Sequence, residues 1–230
     1  MRAPVVAGIG AAAAWCGPAS APVVPAVAAA FGIPLRLPGS GGVALTFDDG
    51  PHAEGTPATL ELLCEAGARA TFFLVGEQVE RFPALAAEIA AAGHELALHG
   101  YRHRSLLGAS PARAVGDVRR GLDAIGTAAG VRPRLYRPPY GWLNAGVLVA
   151  SRRLGLAPVL WSRMACDWRC STTPRMIVAA LTTQLCGGEI LVLHDADYYG
   201  EPESWRQTVR ALPSLLDELD RRRLRTALLD

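Results

Sequence analysis

Leu45-Thr46-Phe47-Asp48-Asp49-Gly50-Pro51 sets two adjacent carboxylates at the end of an apolar run, immediately before a turn. Residues 43–47 read as a buried strand, and Gly50-Pro51 as the turn that stops it. Both acids therefore project from the carboxyl end of a sheet strand, where α/β folds hold their ligands. A plainer role is open to them as well, an Asx-type turn in which the aspartates bond only nearby backbone amides. The choice depends on what the rest of the chain brings to the same end of the sheet.

From residue 43 onward, short β-branched or apolar runs alternate with longer amphipathic ones, the pattern of βα units around a parallel sheet. Strands are predicted over 43–47, 70–75, 95–98, 135–136, 158–161, 190–193 and 225–228, and helices over 56–66, 83–92, 111–129, 145–154, 174–185 and 205–222. Pro83, Pro111 and Pro174 stand at helix starts, where the first N–H has no helical partner in any case. About seven strands favour a closed or slightly open (β/α) barrel over a doubly wound sheet. No linker, internal repeat or low-complexity tract follows residue 42.

With 230 residues, 50% hydrophobic and 19% charged, the chain is one well-filled domain, alone or with a short leader, and not a disordered one. A net charge of +2 and the lack of a basic-aromatic stripe argue against a nucleic-acid partner. Arg221, Arg222, Arg223 and Arg225 fall at a predicted helix end, where cations complement the helix dipole.

Residues 3–35 carry no charge, yet their prolines leave only 5–17 as an uninterrupted apolar run. That is shorter than the roughly 20 residues of a membrane span and suits a signal-peptide core. Small-residue cleavage sites occur at Ala19-Ser20-Ala21 and Ala26-Val27-Ala28. Residues 1–35 are thus read as a leader or an N-terminal arm packed on the domain, and 40–230 as the folded domain. A cleaved leader implies a secreted or envelope-associated protein, a packed arm a cytoplasmic one. No protein partner is evident, and a monomer is expected. Among the five cysteines, Cys64 and Cys186 are expected to be buried thiols, while Cys166 and Cys170 bracket Asp167-Trp168 and could form a local bridge in an exported protein.

Several polar motifs follow predicted strands, so a barrel gathers them at one mouth. His99-Gly100-Tyr101-Arg102-His103 places two histidines four apart, a spacing that meets on one face of a helical turn and can share a metal. With the aspartates they suggest a two-histidine, one-carboxylate site. Arg137-Pro138-Pro139-Tyr140-Gly141 is a stiff loop whose arginine can hold a carboxylate with its fork. His194 ends the apolar run 190–193 and reads as a general acid or base, which Asp167, beside Trp168, could orient.

Taken in order, Thr46-Phe47-Asp48-Asp49-Gly50, His99 with His103, Arg137-Pro138-Pro139-Tyr140, Asp167-Trp168 and Leu193-His194 resemble the polysaccharide deacetylases of carbohydrate esterase family four, the nodulation-type deacetylase domain. The resemblance runs from about residue 43 to 229. It implies a distorted (β/α)₇ barrel and a metal-dependent hydrolase that removes acetyl groups from N-acetylated glycans such as peptidoglycan or chitooligosaccharides. By resemblance, Asp49, His99 and His103 bind a divalent metal, usually Zn²⁺, with Co²⁺, Mn²⁺ or Ni²⁺ as alternatives. It also makes Asp48 the general base, oriented by Arg137, and His194 the acid, oriented by Asp167. The Tyr140 amide stabilises the oxyanion, and Trp168 and Val192 wall the acetyl methyl. Gly100 and Met164 depart from the family pattern. The first stands where a serine or threonine usually braces the loop between the histidines, implying a weaker hold on metal. The second takes the place of the first acid in the usual Asp-x-x-Asp-Trp motif that ends here in Asp167-Trp168, which bears on the link between that loop and the site. Two other readings use the same residues: hydrolysis of a small amide or cyclic imide, and a non-catalytic glycan-binding domain, whose mark would be a missing base, ligand or acid.

Overall fold

Strand β1 (Gly42–Asp48) is buried along its whole length and lies at the centre of an eight-stranded sheet in which every strand pairing is parallel. The computed structural model describes residues 15–39 and 41–229, so most of the apolar run 5–17 lies outside the described residues. The remaining strands are β2 (Thr71–Leu74), β3 (Glu95–Leu98), β4 (Leu135–Tyr136), β5 (Ala157–Pro158), β6 (Arg163–Met164), β7 (Ile190–His194) and β8 (Arg225–Thr226). Their order is β5-β4-β3-β2-β1-β7-β6, with β8 beside the start of β1.

The strand predicted over 158–161 is a bent segment instead. Its first part pairs with β4 as β5, and its last part pairs with β7 as β6. Pro158 has no N–H to continue a ladder, and Leu160 turns its amide to Pro34 O at 3.0 Å. One segment, 157–164, therefore supplies both edge strands, β5 beside β4 and β6 beside β7, of a sheet curled into a distorted (β/α)₇ barrel.

Alternation along the strands explains the two apolar layers. Val43, Leu45, Phe47, Phe72, Leu74, Leu96, Leu98, Leu191 and Leu193 belong to the main core beneath the helices. Ala44, Phe73, Ala97, Leu135, Val159 and Ile190 form a smaller cluster on the opposite, interior face. Thr46 and Asp48 continue the interior row of β1.

The helices are α1 (Pro25–Ala30), α2 (Gly55–Glu65), α3 (Gly76–Arg81), α4 (Pro83–Ala91), α5 (Pro111–Ala129), α6 (Ala145–Arg153), α7 (Pro174–Thr182) and α8 (Trp205–Arg221). The α3 segment has no apolar periodicity and was not expected as a helix. Residues 15–39 run along the barrel: Ala21, Ala28 and Ile33 enter the main core, and Leu37 N donates to Gly188 O at 2.8 Å. Contrary to expectation, Cys64 and Cys186 are exposed. The buried face of α2 is formed by Thr56, Thr59 and Leu63, and α7 ends at Thr182, leaving Cys186 in the loop that follows. All five cysteines are free thiols. Among the described residues, no helix is long and apolar enough to cross a membrane.

Candidate active site

Parallel registration puts the chemistry-bearing residues side by side. Asp48 on β1 pairs directly with His194 on β7. Leu98 at the end of β3 is in register with Tyr136 on β4, and Arg137 N donates to Leu98 O at 2.9 Å. His99 and Arg137 thus leave adjacent strands at the same level. The result is a cavity of about 260 Å³ lined by Asp48, Asp49, His99, His103, Tyr140, Trp161, Met164, Trp168, Val192, His194 and Tyr199.

Arg137 is fully buried, not the surface arginine that a stiff loop alone would suggest. Its Nη1 donates to Asp48 Oδ1 at 2.6 Å and to Thr46 Oγ1 at 2.8 Å, its Nη2 donates to Leu160 O at 3.1 Å, and its guanidinium lies 3.9 Å from the Phe73 ring centre. Burial pushes the pKa of Asp48 up, and the Arg137 guanidinium is the largest influence opposing that rise. The small interior residues Ala44 and Ala97 lie in the same cluster as Phe73, beneath this ion pair.

Asp49 leaves the strand with φ 80°, a left-handed conformation that aspartate tolerates better than most residues. Its Oδ1 lies 3.4 Å from His99 Nε2 and 3.3 Å from His103 Nε2, yet it is buried with no hydrogen-bond partner among the described residues. The three donor atoms sit within 4.8 Å of one another. His99 Nδ1 donates to Arg137 O at 2.8 Å, which leaves Nε2 as the lone-pair nitrogen. Burial holds both imidazoles neutral, each pKa pushed down to about 3, and with neighbouring carboxylates it lifts Asp49 to about 7. Two neutral imidazoles and a carboxylate oxygen without a proton donor fit a divalent cation with N and O ligands.

The two histidines do not meet on a helical turn, as their spacing suggested. They converge through a bend in which Gly100 has φ 86°, with ring centres 5.2 Å apart. A side chain at residue 100 would be strained at that φ, and its Cβ would come within 3.3 Å of Asp117 Oδ1. Asp117 on α5 accepts the Tyr101 amide at 3.0 Å and also a bond from the Arg102 backbone. A carboxylate from α5 therefore braces the loop where a hydroxyl was expected.

His194 Nδ1 is 2.9 Å from Asp167 Oδ1, while Asp167 Oδ2 accepts the His194 amide at 2.8 Å and the Thr208 hydroxyl at 2.7 Å. Burial alone would lower the His194 pKa, but Asp167, Asp49 and Asp48 together raise it to about 10, so it is protonated at neutral pH. Trp168 meets its ring edge-on at 5.4 Å. Met164 pairs with Val192 in the ladder and forms apolar wall, so an acid at that position is not what ties this loop to the site.

Sequence reasoning gave no role to Thr46, Trp161, Tyr199 or Asp195, although Thr46 stands in the opening motif. Only the period-two row Ala44-Thr46-Asp48 could have signalled Thr46. Asp195 is fully buried, accepts the Thr56 hydroxyl at 2.5 Å and has its pKa raised by burial to about 7. His52 neither lines the cavity nor faces open solvent: its Nδ1 accepts the Gly55 amide at 2.9 Å at the start of α2. His94 Nδ1 likewise accepts the Ala70 amide at 3.2 Å.

Fold and site define a class of protein, a distorted (β/α) barrel with paired acid-base groups and a candidate metal triad at its carboxyl mouth. Residues 38–159, over half of the chain, match the family model for polysaccharide deacetylase, and the chain belongs to this family of hydrolases. It is similar to a chitooligosaccharide deacetylase of Bradyrhizobium sp., with 38% identity over 80% of this chain and 87% of the relative. A peptidoglycan-N-acetylglucosamine deacetylase of Bacillus cereus shares 35% identity over 77% of this chain and 81% of its own length. Among solved structures, a family 4 carbohydrate esterase from Streptomyces lividans in complex with acetate superposes with a TM-score of 0.74 at 30% identity, covering 84% of this chain and 95% of that one.

Proposed function

We propose that this protein hydrolyses the acetamido group of N-acetylated glycans of the peptidoglycan or chitooligosaccharide type, releasing acetate and leaving a free amine. The observation that carries the reading is the complete set around one cavity: a carboxylate on a buried arginine, an imidazole on a buried carboxylate, and a candidate metal triad between them. Those two deacetylase relatives supply the substrate class.

Asp49, His99 and His103 would hold a divalent metal, in this reading Zn²⁺. Such an ion polarises a carbonyl and brings the pKa of water from 15.7 towards roughly 7. Asp48 Oδ2 takes the proton of the attacking water while Oδ1 stays on Arg137. The water oxygen bonds to the acetyl carbon, and the backbone amide of Tyr140, a residue at φ 61° in the turn Pro139–Gly141, faces the developing oxyanion. One such donor is worth about 3 to 4 kcal/mol. As the C–N bond breaks, protonated His194 delivers its Nε2 proton to the leaving nitrogen, and Asp167 stabilises the imidazolium. Trp168 and Val192 wall the methyl.

Acetate release from acetylated chitooligosaccharides and from peptidoglycan, run beside small amides and a cyclic imide, tests the substrate class. Activity should fall with a chelator and return with Zn²⁺ or Co²⁺, and Asp48→Asn should abolish it. Full activity in that variant refutes the mechanism, and turnover of the small amides alone refutes the substrate class.

A further inference from the structure

The two candidate metal-ligating imidazoles are supported in different ways. His99 donates its second ring nitrogen to Arg137 O at 2.8 Å, the usual means of fixing a ligand histidine. His103 has no such bond to another residue: its Nδ1 is buried, and among the described residues nothing beyond its own backbone reaches it. A ring without that bond can turn about its side-chain torsions, so something else must set its plane.

Two aromatic rings occupy that role. Tyr199 lies flat on the His103 imidazole, with ring centres 4.3 Å apart and planes 12° from parallel. Tyr140 meets the same imidazole edge-on at 4.5 Å. The Tyr199 ring is itself fixed from α3, its hydroxyl donating to Glu77 Oε1 at 3.0 Å and accepting from Gln78 Nε2 at 3.0 Å. Tyr199 therefore has a fixed plane to impose. It stands in the loop that follows His194, so one loop would carry the acid at its start and the support of a metal ligand a few residues on.

We propose that Tyr199 is a positioning residue for the metal ligand His103, holding the imidazole by ring stacking in place of the hydrogen bond that His99 enjoys. This rests on Asp49, His99 and His103 forming a metal site.

The test is a Zn²⁺ titration of the purified protein against a competing chromophoric chelator, with thermal unfolding of the metal-free variants as a check on folding. Replacing the flat ring, Tyr199→Leu, should weaken Zn²⁺ binding roughly 10- to 100-fold, the range found when outer supports of metal ligands are removed. Tyr199→Phe, which keeps the ring, should recover most of that loss. Where the leucine variant fails to fold, Tyr199→Gln decides, since it removes the ring while its amide can still bond Glu77 and Gln78. Several-fold weaker binding supports the proposal. Wild-type affinity in Tyr199→Leu, or in Tyr199→Gln when that one decides, overturns it while the metal site itself stands. A wild-type protein that takes up no Zn²⁺ overturns the metal site, and this inference with it.

Discussion

Replacing Arg137 by methionine removes the guanidinium from a fully buried ion pair and leaves the Asp48 carboxylate without its 2.6 Å partner. Thr46 Oγ1 and Leu160 O lose donors at the same time, and Phe73 loses the flat cation against its ring. Breaking a buried pair from one side costs about 3 to 5 kcal/mol, because the remaining charge stays out of water. A large fraction of a typical domain's stability would go with one side chain. The sign of the pH dependence follows from the carboxyl group left behind. Burial already raises the Asp48 pKa, and losing Arg137 raises it further. A carboxyl whose folded pKa lies above its unfolded value binds its proton more tightly when folded. The deficit is therefore largest near neutrality and shrinks as the pH falls through the folded pKa.

Urea unfolding at pH 7 and pH 5, with chelator present so that metal binding does not contribute, measures both effects. Adding Asp48→Asn to Arg137→Met removes the stranded charge and should restore about 2 kcal/mol or more at pH 7, while acetate release stays abolished. A loss below about 1 kcal/mol for Arg137→Met would refute the reasoning, as would a double variant no more stable than the single one.

Asp167→Asn weakens the main support of the protonated His194, whose pKa of about 10 places its proton loss on the alkaline side of neutrality. The alkaline limb of the kcat profile should move to lower pH in the variant, and an unmoved limb would remove His194 from the acid role. Gly55→Ala puts a Cβ at 2.1 Å from Asp195 O and 3.2 Å from the Trp205 ring. Overpacking of this kind costs about 1 to 3 kcal/mol, and a thermal unfolding midpoint equal to wild type would contradict the placement of that loop. Thr56→Val strips the donor from buried Asp195 and the acceptor from His52 N, at 2.5 and 2.7 Å. A loss of about 1 to 3 kcal/mol in chemical denaturation is expected.

Where sequence periodicity or a motif was itself the physical cause, the structure could be read from the chain. β3, β4 and α5 occur over the predicted residues, since their apolar spacing decides which face is buried. Asp48, Asp49, His99, His103, Arg137, Asp167 and His194 meet because parallel strands deliver their carboxyl ends to one mouth. What could not be read depends on contacts between distant segments. The bend at 157–164 is set by which neighbours its two halves pair with, β4 and β7. Tyr199 and Asp117 carry no local signal, because their partners, His103 and the Tyr101 amide, lie on other elements. Cys64 falls on the outside of α2, where helical periodicity alone did not separate two mildly apolar faces.

Strand β1 takes its neighbours from opposite ends of the chain: Thr46 pairs with Thr71, but Ala44 waits for Ile190 and Val43 for Thr226. During synthesis, the run Val43-Ala44-Leu45-Thr46-Phe47 leaves the ribosome long before its far edge has a partner. Pairings this distant along the chain fold slowly, and an apolar, uncharged strand edge invites association between nascent chains. The strand that places both aspartates is thus also the point at which expression is most exposed to aggregation. Lower growth temperature or chaperone supply should raise the soluble yield more than any change to the outer helices.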